Sequence, residues 1–146
     1  PSVQPFSVTV FNTHFYHLFD SPDARFNRRT CYRANVITGR DPLLDCFDCP
    51  SPSVATPRRR TTVTPTQALA LMNNSFVLRQ SRRFARRVSQ KAPESQGQQA
   101  EWAVRLSLAR PPTPPERNQL TRLIRDHGLE YACWALINSS EFLYLP

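Results

Sequence analysis

The same helix-initiating pattern occurs twice in this chain, as Thr64-Pro65-Thr66-Gln67 and as Thr113-Pro114-Pro115-Glu116. Each copy opens with a threonine whose hydroxyl can accept an unpaired N–H of a first helical turn. Each continues with proline at the first helical position, where a missing N–H costs nothing. Each places Gln or Glu three residues after the cap, where its side chain can reach back to the cap N–H. Two helices must therefore begin at Pro65 and Pro114. The first runs through Ala68 to Met72, all strong helix formers, and Asn73, Asn74 and Ser75 interrupt it.

The chain after Thr64 reads as a series of helices. A second helix is expected from Ser75 to Gln90. At about 100° per residue its arginines 79, 82, 83, 86 and 87 share one arc, opposite Val77, Ser81, Phe84, Ala85 and Val88. The segment from Ala92 to Gln99 reads as a polar, disordered linker. A third helix spans Ala100 to Arg110, with Trp102, Leu106 and Ala109 on one face, until Pro111 and Pro112 stop it. The helix from Pro114 turns Leu120, Leu123 and Ile124 inward and ends near His127, with Gly128 as a left-handed cap. A fifth runs from Leu129 to Asn138, its core stripe formed by Leu129, Ala132, Cys133, Leu136 and Ile137. The apolar tail, SSEFLYLP, is expected to dock.

The first half is less regular. Val8, Val10 and Phe11 suggest a short strand, and Asn12 to Phe19 a helical segment. Residues 26 to 40 fit helix and extended chain equally. One helical turn is expected at Leu43 to Phe47. Pro50, Pro52 and Pro57 make an ordered, irregular loop of the stretch from Pro50 to Val63. The chain has 14 prolines and only 3 glycines, which favours helices joined by stiff loops over a sheet with tight turns. The expected fold is mainly α: an irregular, proline- and arginine-rich part over residues 1–64, packed on a bundle of about five helices over 65–146. At 146 residues this amounts to one domain.

Charge is unevenly placed. The net charge is +8, yet no acid stands between Asp48 and Glu94, an interval holding Arg58, Arg59, Arg60, Arg79, Arg82, Arg83, Arg86, Arg87 and Lys91. Nearly all the basic residues are arginines, whose planar fork suits carboxylate, sulfate or phosphate. No run approaches a membrane span of about 18 apolar residues, and the N-terminus lacks the pattern of a signal peptide.

With the segments laid out, FDCPSPSVATPRRRTTVTPTQALALMNNSF resembles the hallmark of a planctomycete-specific domain of unknown function catalogued under the number 1553. NRRTCYRANV, RLSLARPPTPPE and the closing ALINSSEFLYLP agree with it, and PSVQPF resembles the family's Gly-Gly-Pro segment without its two glycines. The resemblance implies a C-terminal domain of large, exported bacterial proteins, preceded by another domain of unknown function and often by a c-type cytochrome module. It implies an extracytoplasmic location, and upstream domains of the same protein as partners. It brings no catalytic residues with it.

The candidate sites follow from these patterns. Arg58, Arg59 and Arg60 precede a helix N-terminus and could hold an anion. The favoured reading is structural, with these arginines pairing Asp45, Asp48 or Glu141 or capping carbonyls of the fifth helix. Asp48, Thr64, Gln67, Asn73 and Glu141 form a candidate polar cluster. The basic face of Arg79, Arg82, Arg83, Arg86 and Arg87 is either a solvated face or a polyanion surface. No aromatics interleave these arginines and no nucleic-acid-binding signature is present, which disfavours nucleic acid and leaves an anionic polysaccharide as the better partner. Cys46-Phe47-Asp48-Cys49 is followed by Pro50 rather than histidine, so no haem attaches there. Zinc held by Cys46, Cys49, His14 and His17 is a weaker alternative to packed or disulfide-linked cysteines. No metal or cofactor is expected in this segment; haem c belongs to the upstream module that the resemblance implies. No GxSxG, HExxH or P-loop is present. His127 reads as a charge on a helix C-terminus.

Two functions remain at this stage. One is a non-catalytic structural or binding module, contacting an anionic partner such as a polysaccharide. The other is a part of an extracytoplasmic redox or hydrolytic enzyme acting with a cytochrome c module.

Overall fold

The computed structural model describes residues 2–6, 15–19, 42–50, 54–58 and 62–144. It is mainly helical. Two antiparallel strands, β1 (Ser2–Phe6) and β2 (Phe15–Phe19), precede seven helices among the described residues: α1 (Pro42–Cys46), α2 (Pro65–Asn73), α3 (Ser75–Lys91), α4 (Gln96–Leu108), α5 (Pro114–His127), α6 (Leu129–Ile137) and α7 (Ser140–Leu143). The chain divides into two compact units, Pro1–Ala70 and Leu71–Pro146, with the division inside α2.

In the first unit the helix expected up to Phe19 is instead strand from Phe15, paired from Ser2↔Phe19 to Phe6↔Phe15. Aromatic residues are at home on a pleated surface, and the β1 partner supplies the ladder. The strand expected around Val8 and Val10, and the ambiguous segment 26–40, lie outside the described residues.

α1 ends in a Schellman motif. Asp48 adopts φ 55, its N–H donates to the Asp45 carbonyl at 3.3 Å, and the Cys49 N–H donates to the Leu44 carbonyl at 3.1 Å. Glycine is the usual residue at that left-handed position, and aspartate is among the few others that tolerate it.

The second unit is a helical bundle. α3 packs on α4 and α6, α5 packs on α4 and α6, and α7 touches α4 and α6. Its core is built from small residues. Ala85, Val88, Ala103, Val104, Cys133 and Leu136 form one cluster, and Ala100, Ile124 and Ala132 another. Ala100, Ala103 and Ala132 are wholly buried, so α4 presents its alanines where its neighbours approach. Of the expected face Trp102, Leu106 and Ala109, only Leu106 packs against the core: Ala109 is exposed, and Trp102 remains 37% exposed, with Lys91 Nζ 6.0 Å from its ring centroid. Small side chains permit the closer helix approach and win the interior over a bulky ring.

Part of the expected linker is ordered. Ser95 caps α4, its Oγ accepting from the Gln98 N–H at 3.4 Å, so Gln96 to Gln99 form its first turn. Gln99 Nε2 also donates to the Ala92 carbonyl at 2.9 Å. Composition suggested disorder here, and local capping overrides it.

Gly128 joins α5 to α6 at φ 92, ψ 162. The positive φ was anticipated, but the ψ is extended rather than left-handed helical, a combination that only glycine adopts without strain. The tail forms α7, capped by Ser139.

Candidate functional site

The two repeated helix starts use their third residue differently. At α2 the capping box forms as read: the Gln67 N–H donates to Thr64 Oγ1 at 3.3 Å, and the Thr64 N–H donates to Gln67 Oε1 at 3.2 Å. The Gln67 amide nitrogen has further capacity. It donates to the Thr62 carbonyl at 2.9 Å and lies 3.3 Å from Thr62 Oγ1. Thr62 in turn donates from its N–H and its hydroxyl to Asp48 Oδ2, at 2.8 and 2.7 Å. Gln67 is only 3% exposed. A chain of hydrogen bonds thus runs from the left-handed end of α1 through Thr62 to the start of α2, closing the loop across fourteen residues. Of the expected polar cluster, Asp48, Thr64 and Gln67 do meet. Asn73 and Glu141 lie in the other unit. Thr62, the hub, was missed; its only sequence signal is a hydroxyl two residues ahead of a cap.

At α5 the third residue is charged. Glu116 Oε2 accepts from the Thr113 N–H at 2.7 Å and the Thr113 hydroxyl at 2.9 Å. Its carboxylate also takes two bonds from Arg110, Nη1 to Oε2 at 2.9 Å and Nη2 to Oε1 at 2.7 Å. Arg110 grips Glu141 as well, Nε to Oε1 at 2.6 Å and Nη2 to Oε2 at 2.7 Å. Its Nη1 donates to the Pro111 carbonyl at 3.2 Å. Those bonds use all five N–H donors of the guanidinium. The Arg110 hydrogen bonds, helped by those from Thr113, hold the Glu116 carboxyl down at about 2. Arg110 likewise lowers Glu141, and both carboxylates raise Arg110 further above its ordinary value.

This arrangement corrects the pairing expected for Glu141. Its partner is Arg110, which α4 delivers through Ala109 at φ 55. Arg58 is exposed, and Arg59 and Arg60 lie outside the described residues.

The arginine row of α3 is of another kind. Val77, Ser81, Ala85 and Val88 are buried on the opposite face, as the periodicity requires. Arg82 Nε lies 3.6 Å from Glu130 Oε2, with both side chains more than half exposed, a weak pair. Arg79 is half-buried and has partners of its own. Arg83, Arg86 and Arg87 have no acidic partner among the described residues, and α3 contains no acid at all.

Two clefts flank this row. One, of about 280 Å³, lies between α3 and α6 and contains Arg82, Glu130, Tyr131 and Trp134. The other, of about 320 Å³, is lined by Arg83, Phe84 and Arg87 of α3, Leu106 of α4, Ile137 of α6 and Phe142 of α7.

Cys133 is not an activated nucleophile. Burial, with a smaller push from Glu130, raises the Cys133 thiol to about 12, so it stays protonated at neutral pH. Cys46 and Cys49 are free thiols. Among the described residues no group of three or more His, Cys, Asp and Glu side chains is placed to hold a metal; His14 lies outside them. His127 ends α5 as expected, its ring edge-on to Tyr131 at 6.3 Å. No helix among the described residues is long and apolar enough to cross a membrane.

A two-unit, mainly helical chain with a hydrogen-bonded loop clamp and a basic helix face defines a class of domain, not a reaction. The particular family is defined by its sequence profile: that of a protein family of unknown function, DUF1553 (PSD1), matches residues 1–124, and the chain belongs to that family. The closing segment ALINSSEFLYLP lies beyond the matched residues. Neither the curated proteins nor the solved structures contain a match to the chain.

Proposed function

We propose that this domain is a non-catalytic binding module of an exported bacterial multidomain protein, and that the outer face of α3 engages an anionic polysaccharide. The observation that carries this reading is that Arg83, Arg86 and Arg87 meet no acid among the described residues, on a helix that contains none itself. A structural arginine in this protein looks different: Arg110 has every donor occupied. Guanidinium groups match sulfate and carboxylate geometry in pairs. Phe84, the aromatic residue within the row's sequence, packs against the core, so no aromatic side chain of α3 alternates with its outer arginines in the manner of a single-stranded nucleic-acid surface. The exported, extracytoplasmic setting, the planctomycete origin and the company of a cytochrome c module are proposed on family resemblance. Chromatography on a sulfated polysaccharide tests the binding reading. Elution of the protein from heparin well above about 0.2 M salt supports it, and elution below that value counts against it, because such contacts are steeply salt-dependent.

A further inference from the structure

The two clefts beside α3 differ in one respect that bears on what each could hold. In the cleft against α6, Glu130 stands opposite Arg82. In the cleft where α3 meets α4, α6 and α7, Arg83 and Arg87 have no counter-charge among the described residues. The two are four residues apart on one helix, so their side chains are neighbours, and like charges at that spacing repel. The rest of the cleft is mainly apolar: Phe84, Leu106, Ile137 and Phe142 line it, with Gln80 and Ser107 as its polar members. Phe142 is 42% exposed, a large aromatic surface left in contact with water beside two free cations.

We propose that this cleft binds a small amphipathic carboxylate, with the carboxylate bridging Arg83 and Arg87 and a ring or branched aliphatic body lying on the four apolar side chains. The proposal rests on the α3 row being an anion-binding face and narrows it at this point. Three features select the ligand class. The paired guanidiniums suit a planar carboxylate, which can accept from both. The apolar lining gains from a hydrocarbon body and would be wasted on an inorganic anion. The volume of about 320 Å³ is at the small end of ligand pockets, enough for one ring and its acid group but not for a chain of sugars.

The test is a titration of the full chain with 3-phenylpropionate, followed by NMR through the ring protons of the phenylalanines. Saturable shifts are expected. The neutral 3-phenylpropionamide and inorganic phosphate should each bind at least about tenfold more weakly, since each lacks one half of the recognition. The double substitution Arg83→Gln and Arg87→Gln should abolish the carboxylate's advantage over the amide. Phe142→Ala should weaken both aromatic ligands while leaving heparin retention unchanged. Absence of saturable shifts, equal binding of acid and amide, or indifference to the double substitution would each overturn the proposal. If heparin is retained while 3-phenylpropionate does not bind, the cleft assignment alone is wrong. If neither binds, the reading of the whole face goes with it.

Discussion

Arg110 and the arginine row of α3 are the same side chain in opposite circumstances. Arg110 closes a three-way contact between the end of α4, the start of α5 and α7, with five donors used on two carboxylates and a carbonyl. Arg83, Arg86 and Arg87 project from a helix whose other face is in the core, and no described acid meets them. An arginine-rich composition therefore does not say what arginine is for. Saturation of the fork distinguishes a side chain that holds the fold from one left available to a partner.

That contrast can be broken by substitution. The largest effect on stability is expected from Arg110→Ala, which leaves Glu116 and Glu141 facing each other without their cation. The melting temperature should fall by several degrees while retention on heparin stays as it was. An unchanged melting temperature would remove the distinction between the two kinds of arginine.

Gln67→Leu should come next. It removes the donor to the Thr62 carbonyl and leaves buried polar groups unmatched, at a cost of about 1–3 kcal/mol. The loss should show as faster proteolysis within residues 50–63, because the hydrogen-bond chain to Asp48 closes that loop. Equal proteolysis rates in the variant and the wild type would contradict the clamp.

Acid provides a third test. Glu116 has its folded-state carboxyl lowered to about 2 from an ordinary value of 4.5. A lowered folded-state value stabilises the fold above pH 4.5, and that contribution is lost as pH falls toward 2. Glu116→Gln should therefore be less stable at neutral pH and show a flatter stability profile between pH 4.5 and 2. Parallel profiles for the two proteins would count against the Arg110 contact.

The smallest stability effect is expected from the triple substitution of Arg83, Arg86 and Arg87 by glutamine. Removing like charges at helical spacing relieves about 0.2–0.5 kcal/mol per pair, so the melting temperature should hold or rise slightly. A clear fall would show that these arginines have structural work after all.

Both helix starts were legible in the sequence, because a cap, a proline at the first position and a polar third residue act locally. The buried face of α3 was legible too, since Val77, Ser81, Ala85 and Val88 follow its period without interruption. The orientation of α4 was not. Trp102, Leu106 and Ala109 form as good a stripe as Ala100, Ala103 and Val104, and only the packing of α3, α5 and α6 around α4 leaves Trp102 and Ala109 outside while Leu106 reaches the core. Arg110 escaped notice because its two acids stand six and thirty-one residues away, and the chain must fold before they meet. Strand β2 was misread as helix because its partner β1 lies across an intervening segment, and pairing between segments leaves no local trace. Thr62 became the hub of the loop clamp only once α1 and α2 had placed Asp48 and Gln67 on either side of it.

The central claim is that Arg83, Arg86 and Arg87 of α3, which meet no acid among the described residues, are available to bind while Arg110 is not. Its most direct test is the salt dependence of heparin affinity in the triple variant Arg83→Gln, Arg86→Gln, Arg87→Gln. If the row carries the contacts, the slope of log affinity against log salt should shrink by about two to three units, roughly one per arginine removed. A slope equal to that of the wild type would place the polyanion elsewhere on the protein and contradict the account.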